Sequence, residues 1–399
     1  DVLVSNSSSV GFGTRRGNTN SLNFANSNYI QLENIRSIVG EINSIIGQNM
    51  ANNLIVGYTT QNENREYTTP MIFPMIDILS SNLVYTTMGF EPFTPKNQLV
   101  YNTFQVQNNF QEFANNHTLT FGVSFERYNS RNVFYPASQS VYVYSSLNDF
   151  YTDTQDYLAN PNRTTSPITL RRFDLRWNNI PGQDEPVQPL HVTYLSGYVQ
   201  DDWRIKSRLT LNIGLRWDAP YFAQTGFANA NADALTFQDE AGNPVQYKTG
   251  ELPGSHPLWS PRVGFNWDVN GDQMTQVRGG SGIFSGKPAY VWISNQVGNT
   301  GMLTGTERLD NTKDRPFNPD PDHYKPTNVT GAPAPSYNLE LINDNFRFPQ
   351  IWRTNIAVDR TLPWGLMGTF EAIWNQDIHG IYYINANLPT APTTFTGAD

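Results

Sequence analysis

The chain has 399 residues, 38% of them hydrophobic, with a formal net charge of −9 and a mean hydropathy of −0.49. The acidity argues against nucleic acid as a partner, because phosphate recognition needs clustered Lys and Arg. No stretch is long and apolar enough for a transmembrane helix: the greasiest run, Met71–Leu79, is broken by Pro74 and Asp77. With no cysteines, a disulfide framework and a thiolate metal site are both excluded. A membrane protein built from strands is not excluded, since alternating strands average to a polar mean. Aromatics stand at 13% and charged residues at only 15%, below the usual ~25%. Asn, Thr, Ser and Gln carry the polar load, which suits a wet lumen and long surface loops. Asp1-Val2-Leu3 shows neither a basic n-region nor an apolar h-region, so a signal peptide is expected to have been removed or to lie upstream.

Weak strand patterns cover Tyr29–Gly40 and Asn52–Gln61. In Val100–Phe110 the apolar residues Val100, Phe104, Val106 and Phe110 fall on even positions; in Thr118–Tyr128, Leu119, Phe121, Val123 and Phe125 fall on odd ones. Ser146–Asn160 reads as a short helix capped by Ser146, with Leu147, Phe150, Tyr151, Tyr157 and Leu158 at roughly helical spacing. The clearest signal is Ser196–Asp218. There Leu209, Leu211, Ile213, Leu215 and Trp217 alternate with Arg208, Thr210, Asn212, Gly214, Arg216 and Asp218. Period 2 over this length is a strand with one greasy and one wet face, longer than the usual soluble strand and long enough to cross a bilayer when tilted. Val263, Phe265 and Trp267 continue the pattern; Met274–Ser285 is weaker. Asn311–Pro335, rich in Pro and Asp, reads as an irregular surface loop. Trp352, Ile356 and Val358, then Leu366, Gly368, Phe370, Ala372 and Trp374, close the series at about ten strands.

The connections alternate in length. Ala114–His117, Ile205–Ser207, Val269–Gln273 with its Asn270-Gly271 signal, and Thr361–Gly365 are tight. Roughly 62–98, 131–192, 219–258 and 286–349 are long. Structureless loops of that size are rare in compact soluble domains, whereas short turns at one end and long loops at the other are what outer-membrane barrels show. Pairing Trp203 with Leu209 sets Leu195 opposite Trp217, Val199 opposite Ile213 and Gln200 opposite Asn212, with both apolar sets on one face and Asp201 as the misfit. Trp203, Trp267 and Trp364 lie near tight turns and Trp217, Trp352 and Trp374 near long loops, as two aromatic belts would require. The competing reading is a soluble sandwich or propeller with scattered Trp.

No catalytic constellation emerges. His117, His191, His256, His323 and His379 are scattered, and none forms HExxH. Gly279–Gly282 and Gly11-Phe12-Gly13 do not complete a nucleophile elbow or a phosphate loop, and strand glycines explain them better. Asp268–Asp272 begins like a calcium loop, but Gln273 and Gly279 stand where Gly and Glu are needed, so a hairpin is favoured. Asp320, Asp322 and His323 could bind a hard cation or be a solvated acidic loop. The loop aromatics Phe134, Tyr135, Tyr142, Tyr144, Phe150, Tyr151 and Tyr157 are equally compatible with recognition and with packing of loop on loop. No cofactor is expected.

YVQDDW at Tyr198–Trp203, LTLNIGLRWD at Leu209–Asp218, WSPRVGF at Trp259–Phe265 and VRGGSGIFSG at Val277–Gly286 resemble, in order and spacing, the barrel of TonB-dependent outer-membrane receptors, especially the Oar-like branch. The resemblance spans about 99–378. It implies a 22-stranded barrel around a plug domain, and uptake across a Gram-negative outer membrane energised through TonB. No plug or TonB box is readable, and Thr393–Asp399 is a polar end rather than a final amphipathic strand. Residues 1–399 are therefore expected to be part of one antiparallel transmembrane barrel domain, with the plug and the C-terminal strands not present. On this reading Leu209, Leu211, Ile213, Leu215 and Trp217 face lipid, and Arg208, Asn212, Arg216 and Asp218 line the lumen against the plug. The expected partners are outer-membrane lipid, the TonB complex, and surface lipoproteins or other envelope proteins. The alternative function is an adhesion or assembly scaffold whose long loops dock partner proteins. A third is a soluble β-rich carbohydrate-binding or hydrolytic protein, for which Glu126, Asp202 and Glu371 are the paper candidates.

Overall fold

The computed structural model describes residues 2–12, 21–27, 29–67, 73–90, 92–93, 95–134 and 136–388. Its main element is an eleven-stranded sheet. The strands are β1 Val2–Phe12, β2 Tyr29–Ile46, β3 Met50–Tyr67, β4 Gln98–Ala114, β5 His117–Val133, β6 Val187–Lys206, β7 Leu209–Phe222, β8 Leu258–Asp268, β9 Thr275–Ser285, β10 Gln350–Thr361 and β11 Met367–His379. Each pairs antiparallel with the next in chain order, a pure meander in which β1 and β11 are not joined among the described residues. The wall is therefore an open arc of a barrel.

The structure refines the sequence reading in several respects. Among the described residues the wall has eleven strands, close to the ten or so expected. The extra one is β1, and a further tight turn at residues 47–49 joins β2 to β3, with Gly47 at φ 66°. The strands also run further than their apolar stretches. At 20 residues, β6 spans roughly 66 Å, about twice the ~30 Å hydrocarbon core, so only its middle needs greasy alternation. Three of the long connections accordingly shrink, to 68–97, 134–186 and 223–257, while 286–349 is unchanged, and there is another at 13–28. Finally, the β6–β7 register is two residues away from the expected one: Gly197 lies opposite Trp217, Val199 opposite Leu215, and Asp202 opposite Asn212, with an irregularity at Arg204/Lys206. A two-residue shift preserves side-chain parity, so the two faces stay as predicted.

Those faces persist across the sheet. Phe121 lies opposite Val199, Val199 opposite Leu215, and Leu215 opposite Pro261. Along this face Ile42, Val123, Ile213, Val263, Ile356 and Phe370 are all exposed. A largely apolar surface of this width far exceeds what a soluble monomer leaves to water. Asp201, the misfit, lies on this face near the tight turns, 2.7 Å from His117 Nδ1, and His117 stacks on Trp203 with ring centroids 5.3 Å apart.

The long connections are not structureless. Four of them supply a second, six-stranded sheet in the order Thr304–Thr312, Leu170–Asn178, Val141–Tyr144, Met75–Ser80, Leu83–Met88, Leu22–Asn23. Its core holds Ile76, Ile78, Tyr142, Tyr144, Leu170, Phe173, Leu175 and Phe317. The predicted helix is present over Leu147–Ala159, and Ser146 accepts the Asp149 N–H as its cap. The 223–257 connection adds a short helix, Ala230–Asp233, and the small pair Phe237–Gln238 and Pro244–Val245.

Candidate functional site

The polar face carries a lattice of hydrogen bonds that runs from strand to strand. Ser37 meets Thr59 at 2.8 Å, Asn53 donates to Glu41 at 2.6 Å, and Tyr198 donates to Asn109 at 2.8 Å. Tyr198 lies flat across Gly122; a Cβ there would sit 2.0 Å from the ring, so only glycine admits the tyrosine. Further along the sheet, Arg278 donates to Asp359 at 2.8 Å and Asn355 to Glu371 at 3.0 Å. Small and amide side chains predominate because a strand face bathed in water needs partners for its polar groups rather than apolar volume.

Asn212, Arg216 and Asp218 share this face by parity, while Arg208 lies in the tight turn before β7, and the structure divides the four into three groups. Arg216 grips Asp218 through Nε and Nη2 at 2.8–3.0 Å, with Asp218 buried and the guanidinium 5.9 Å from the Tyr198 ring. Asn212 donates to Asp202. Arg208 stands apart at the tight-turn end, where it donates to the Val269 carbonyl at 3.2 Å. Near Gln200 and Asn212 the wall dips into a shallow groove of about 180 Å³, floored by glycines and flanked by Arg262 and Arg353.

At the loop end, this same face turns apolar and is covered. Leu190, Val192 and Tyr194 of β6 are buried against Ile293 and Val297 of the helix Tyr290–Gly298, and against Phe348. Lys287 reaches Glu126 on β5 at 2.6 Å and lies 4.6 Å from the Tyr194 ring centre. Tyr290 packs on Tyr128 with ring centroids 4.7 Å apart, and Ser294 donates to Gln188 at 3.1 Å. The 286–349 connection therefore folds onto the polar side of the wall and not over its greasy side.

The predicted loop aromatics separate clearly. Tyr142 and Tyr144 are wholly buried core of the second sheet, which corrects their candidacy as outward recognition groups: a ring without surface cannot touch an outside ligand. Burial pushes both phenols well above their ordinary value. Phe150 packs edge-on to Tyr144, and Tyr157 edge-on to Phe317. Tyr151 and Phe134 are exposed, and Tyr135 lies outside the described residues. Sequence reasoning missed the surface that does gather exposed rings, a cavity of about 1070 Å³ between the helix Tyr290–Gly298, residues 339–347, the Phe237–Tyr247 hairpin and the chain after β11.

The other candidates resolve into structural roles. His191 binds Asn129 on β5 and His379 binds Gln350. Asp268 accepts the Gly271 and Gln273 N–H groups, each at 3.0 Å, as a hairpin residue. Asp322 is paired with Lys325, and no group of three His, Asp or Glu suited to a metal ion occurs among the described residues. Glu126, Asp202 and Glu371 each have a separate partner.

Comparison with known proteins agrees with this architecture. No curated protein sequence matches the chain. Among solved structures, the outer membrane transporter YddB from Escherichia coli aligns over 94% of this chain and 37% of its own, at 11% identity and a TM-score of 0.53. The ferric-catecholate import receptor Fiu from E. coli aligns over 87% of this chain and 41% of its own, at 11% identity, with a TM-score of 0.41 too loose to add to the comparison. The chain thus spans well under half the length of these structures, and the overlay with YddB speaks to fold alone. A family model for the outer membrane beta barrel domain matches residues 5–399. The protein is a member of the outer membrane beta barrel domain family, an all-β, antiparallel barrel wall of the outer membrane.

Proposed function

We propose that the chain forms part of the wall of a TonB-dependent receptor of the Oar-like branch, which takes up a substrate across a Gram-negative outer membrane. The observation that carries this reading is the two-faced sheet: one apolar side runs across its strands, and the opposite side is polar and partly covered at the loop end by residues 286–349. In an outer-membrane barrel the apolar side turns to lipid, so Arg208, Asn212, Arg216 and Asp218 line the lumen. An arc with free edges cannot rest in hydrocarbon, where each unpaired backbone group costs several kcal/mol. The reading therefore places the remaining strands of a 22-stranded barrel, and a plug against the polar face, outside these residues. The receptor catalyses no reaction; transport energy comes from TonB.

The folded loop sheet favours a second reading, a scaffold that docks surface lipoproteins or other envelope proteins. The two separate on energy coupling. Comparison of a strain lacking the receptor with one lacking TonB should show the same loss of uptake. A defect on removing the receptor that removal of TonB does not reproduce would establish the scaffold instead.

A further inference from the structure

We propose, on the basis of the receptor reading, that the cavity at the loop end is the entry site for the substrate and that the substrate is an oligosaccharide. On the helix Tyr290–Gly298, Ile293 and Val297 pack against the wall, while Trp292 and Asn295, three residues apart and so on one side, line the cavity with the edge of Ile293. Trp292 is 41% exposed and Tyr383 69% exposed; their centroids lie 6.2 Å apart with perpendicular planes. Tyr247 adds a further ring to the lining.

The polar groups among these rings narrow the ligand. The side-chain amides of Asn295 and Asn345 have no hydrogen-bond partner among the described residues, and Arg347 has no ion-pair partner among them. The two wall carboxylates are already engaged: Glu240 accepts from Tyr382 at 2.7 Å and Glu340 from Asn299 at 3.0 Å. A bare cation would find no group of three His, Asp or Glu suited to hold it among the described residues. A sugar ring, by contrast, has an apolar C–H face for an aromatic ring and a rim of hydroxyls that both donate and accept, as amides do. About 1070 Å³ lies just above the ~300–1,000 Å³ usual for small-molecule sites, which leaves room for several joined rings. Arg347 gives an acidic substituent a place.

The test is binding of the full-length protein, in detergent, to an array of neutral and uronate-containing oligosaccharides. Wild type should bind a subset of them. Trp292→Ala and Tyr383→Ala should each weaken binding at least tenfold, while Trp292→Phe, which keeps a ring, retains most of it. Binding to no oligosaccharide, or binding unchanged in both alanine variants, would overturn the site. Binding without TonB-dependent uptake would leave the site standing and remove the transport reading; TonB-dependent uptake of a non-sugar without oligosaccharide binding would do the reverse.

Discussion

The wall sheet and the loop sheet are both antiparallel-rich β structure in one chain, yet they place their apolar residues oppositely. In the wall, Ile213, Val263 and Phe370 point outward and remain exposed, while the other side is tied by hydrogen bonds between polar groups. In the loop sheet, Tyr142, Tyr144, Phe173 and Leu175 are turned inward and buried as in an ordinary soluble core. The wall is finished only by lipid, whereas the loop sheet completes its own core in water. Perturbations should therefore separate the two regions.

The largest effect is expected at Asp153. Its buried carboxylate accepts from Tyr144 at 2.9 Å, Ser166 at 2.8 Å, Arg163 at 2.9 Å and the Phe317 N–H at 3.1 Å. Asp153→Ala leaves the Tyr144 and Ser166 hydroxyls and the Phe317 N–H without their buried acceptor and the Arg163 guanidinium with Asp156 as its remaining ion-pair partner, and should cost the loop sheet about 3–5 kcal/mol. Hydrogen exchange should show lost protection in Leu170–Asn178 and none in β7; loss in both would mean that the regions are not independent. Next is Ile213→Arg, which sets a charge against the bilayer and should destabilise the wall by about 2–4 kcal/mol in lipid. Asn266→Arg on the polar face should be near neutral, and equal costs would remove the distinction between the faces. Ser146→Ala removes the cap of the Leu147–Ala159 helix and should cost about 1 kcal/mol, confined to the loop sheet in a urea titration.

Alkali should also act on the loop region first. Burial pushes Tyr324 up to about 12 and raises Tyr142 and Tyr144 as well. The folded form prefers these phenols neutral, so their contribution is intact below pH 10, the ordinary tyrosine value, and is lost as pH rises from there through about 12. Phenolate absorbance should lag behind that of free tyrosine until the loop sheet opens.

The contrast also explains what the sequence could show. Leu209–Trp217 is legible because lipid demands an unbroken period of 2. Val2–Phe12 alternates poorly and was overlooked, and strand ends such as Arg127–Val133 lie beyond the apolar band, where ladder hydrogen bonds hold the strand without an apolar pattern. The loop sheet was illegible because its strands come from four connections and pair across long sequence separations: Leu170–Asn178, for instance, meets Thr304–Thr312. Its aromatics could be found but not sorted, since burial of Tyr142 and exposure of Tyr151 follow from that pairing. At the candidate site the face of Arg216 and Asp218 was readable from parity, while the cavity, built from four separate segments, was not.

The most direct test of the account places a single spin label at each position from 209 to 217 in the full-length protein in liposomes, with any cysteine outside these 399 residues replaced; the 399 residues themselves carry none. Collision with oxygen, which concentrates in lipid, should peak at 211, 213, 215 and 217. Collision with a water-soluble nickel complex should not peak at these positions. Loss of that alternation, or its inversion, would contradict a lipid-facing wall.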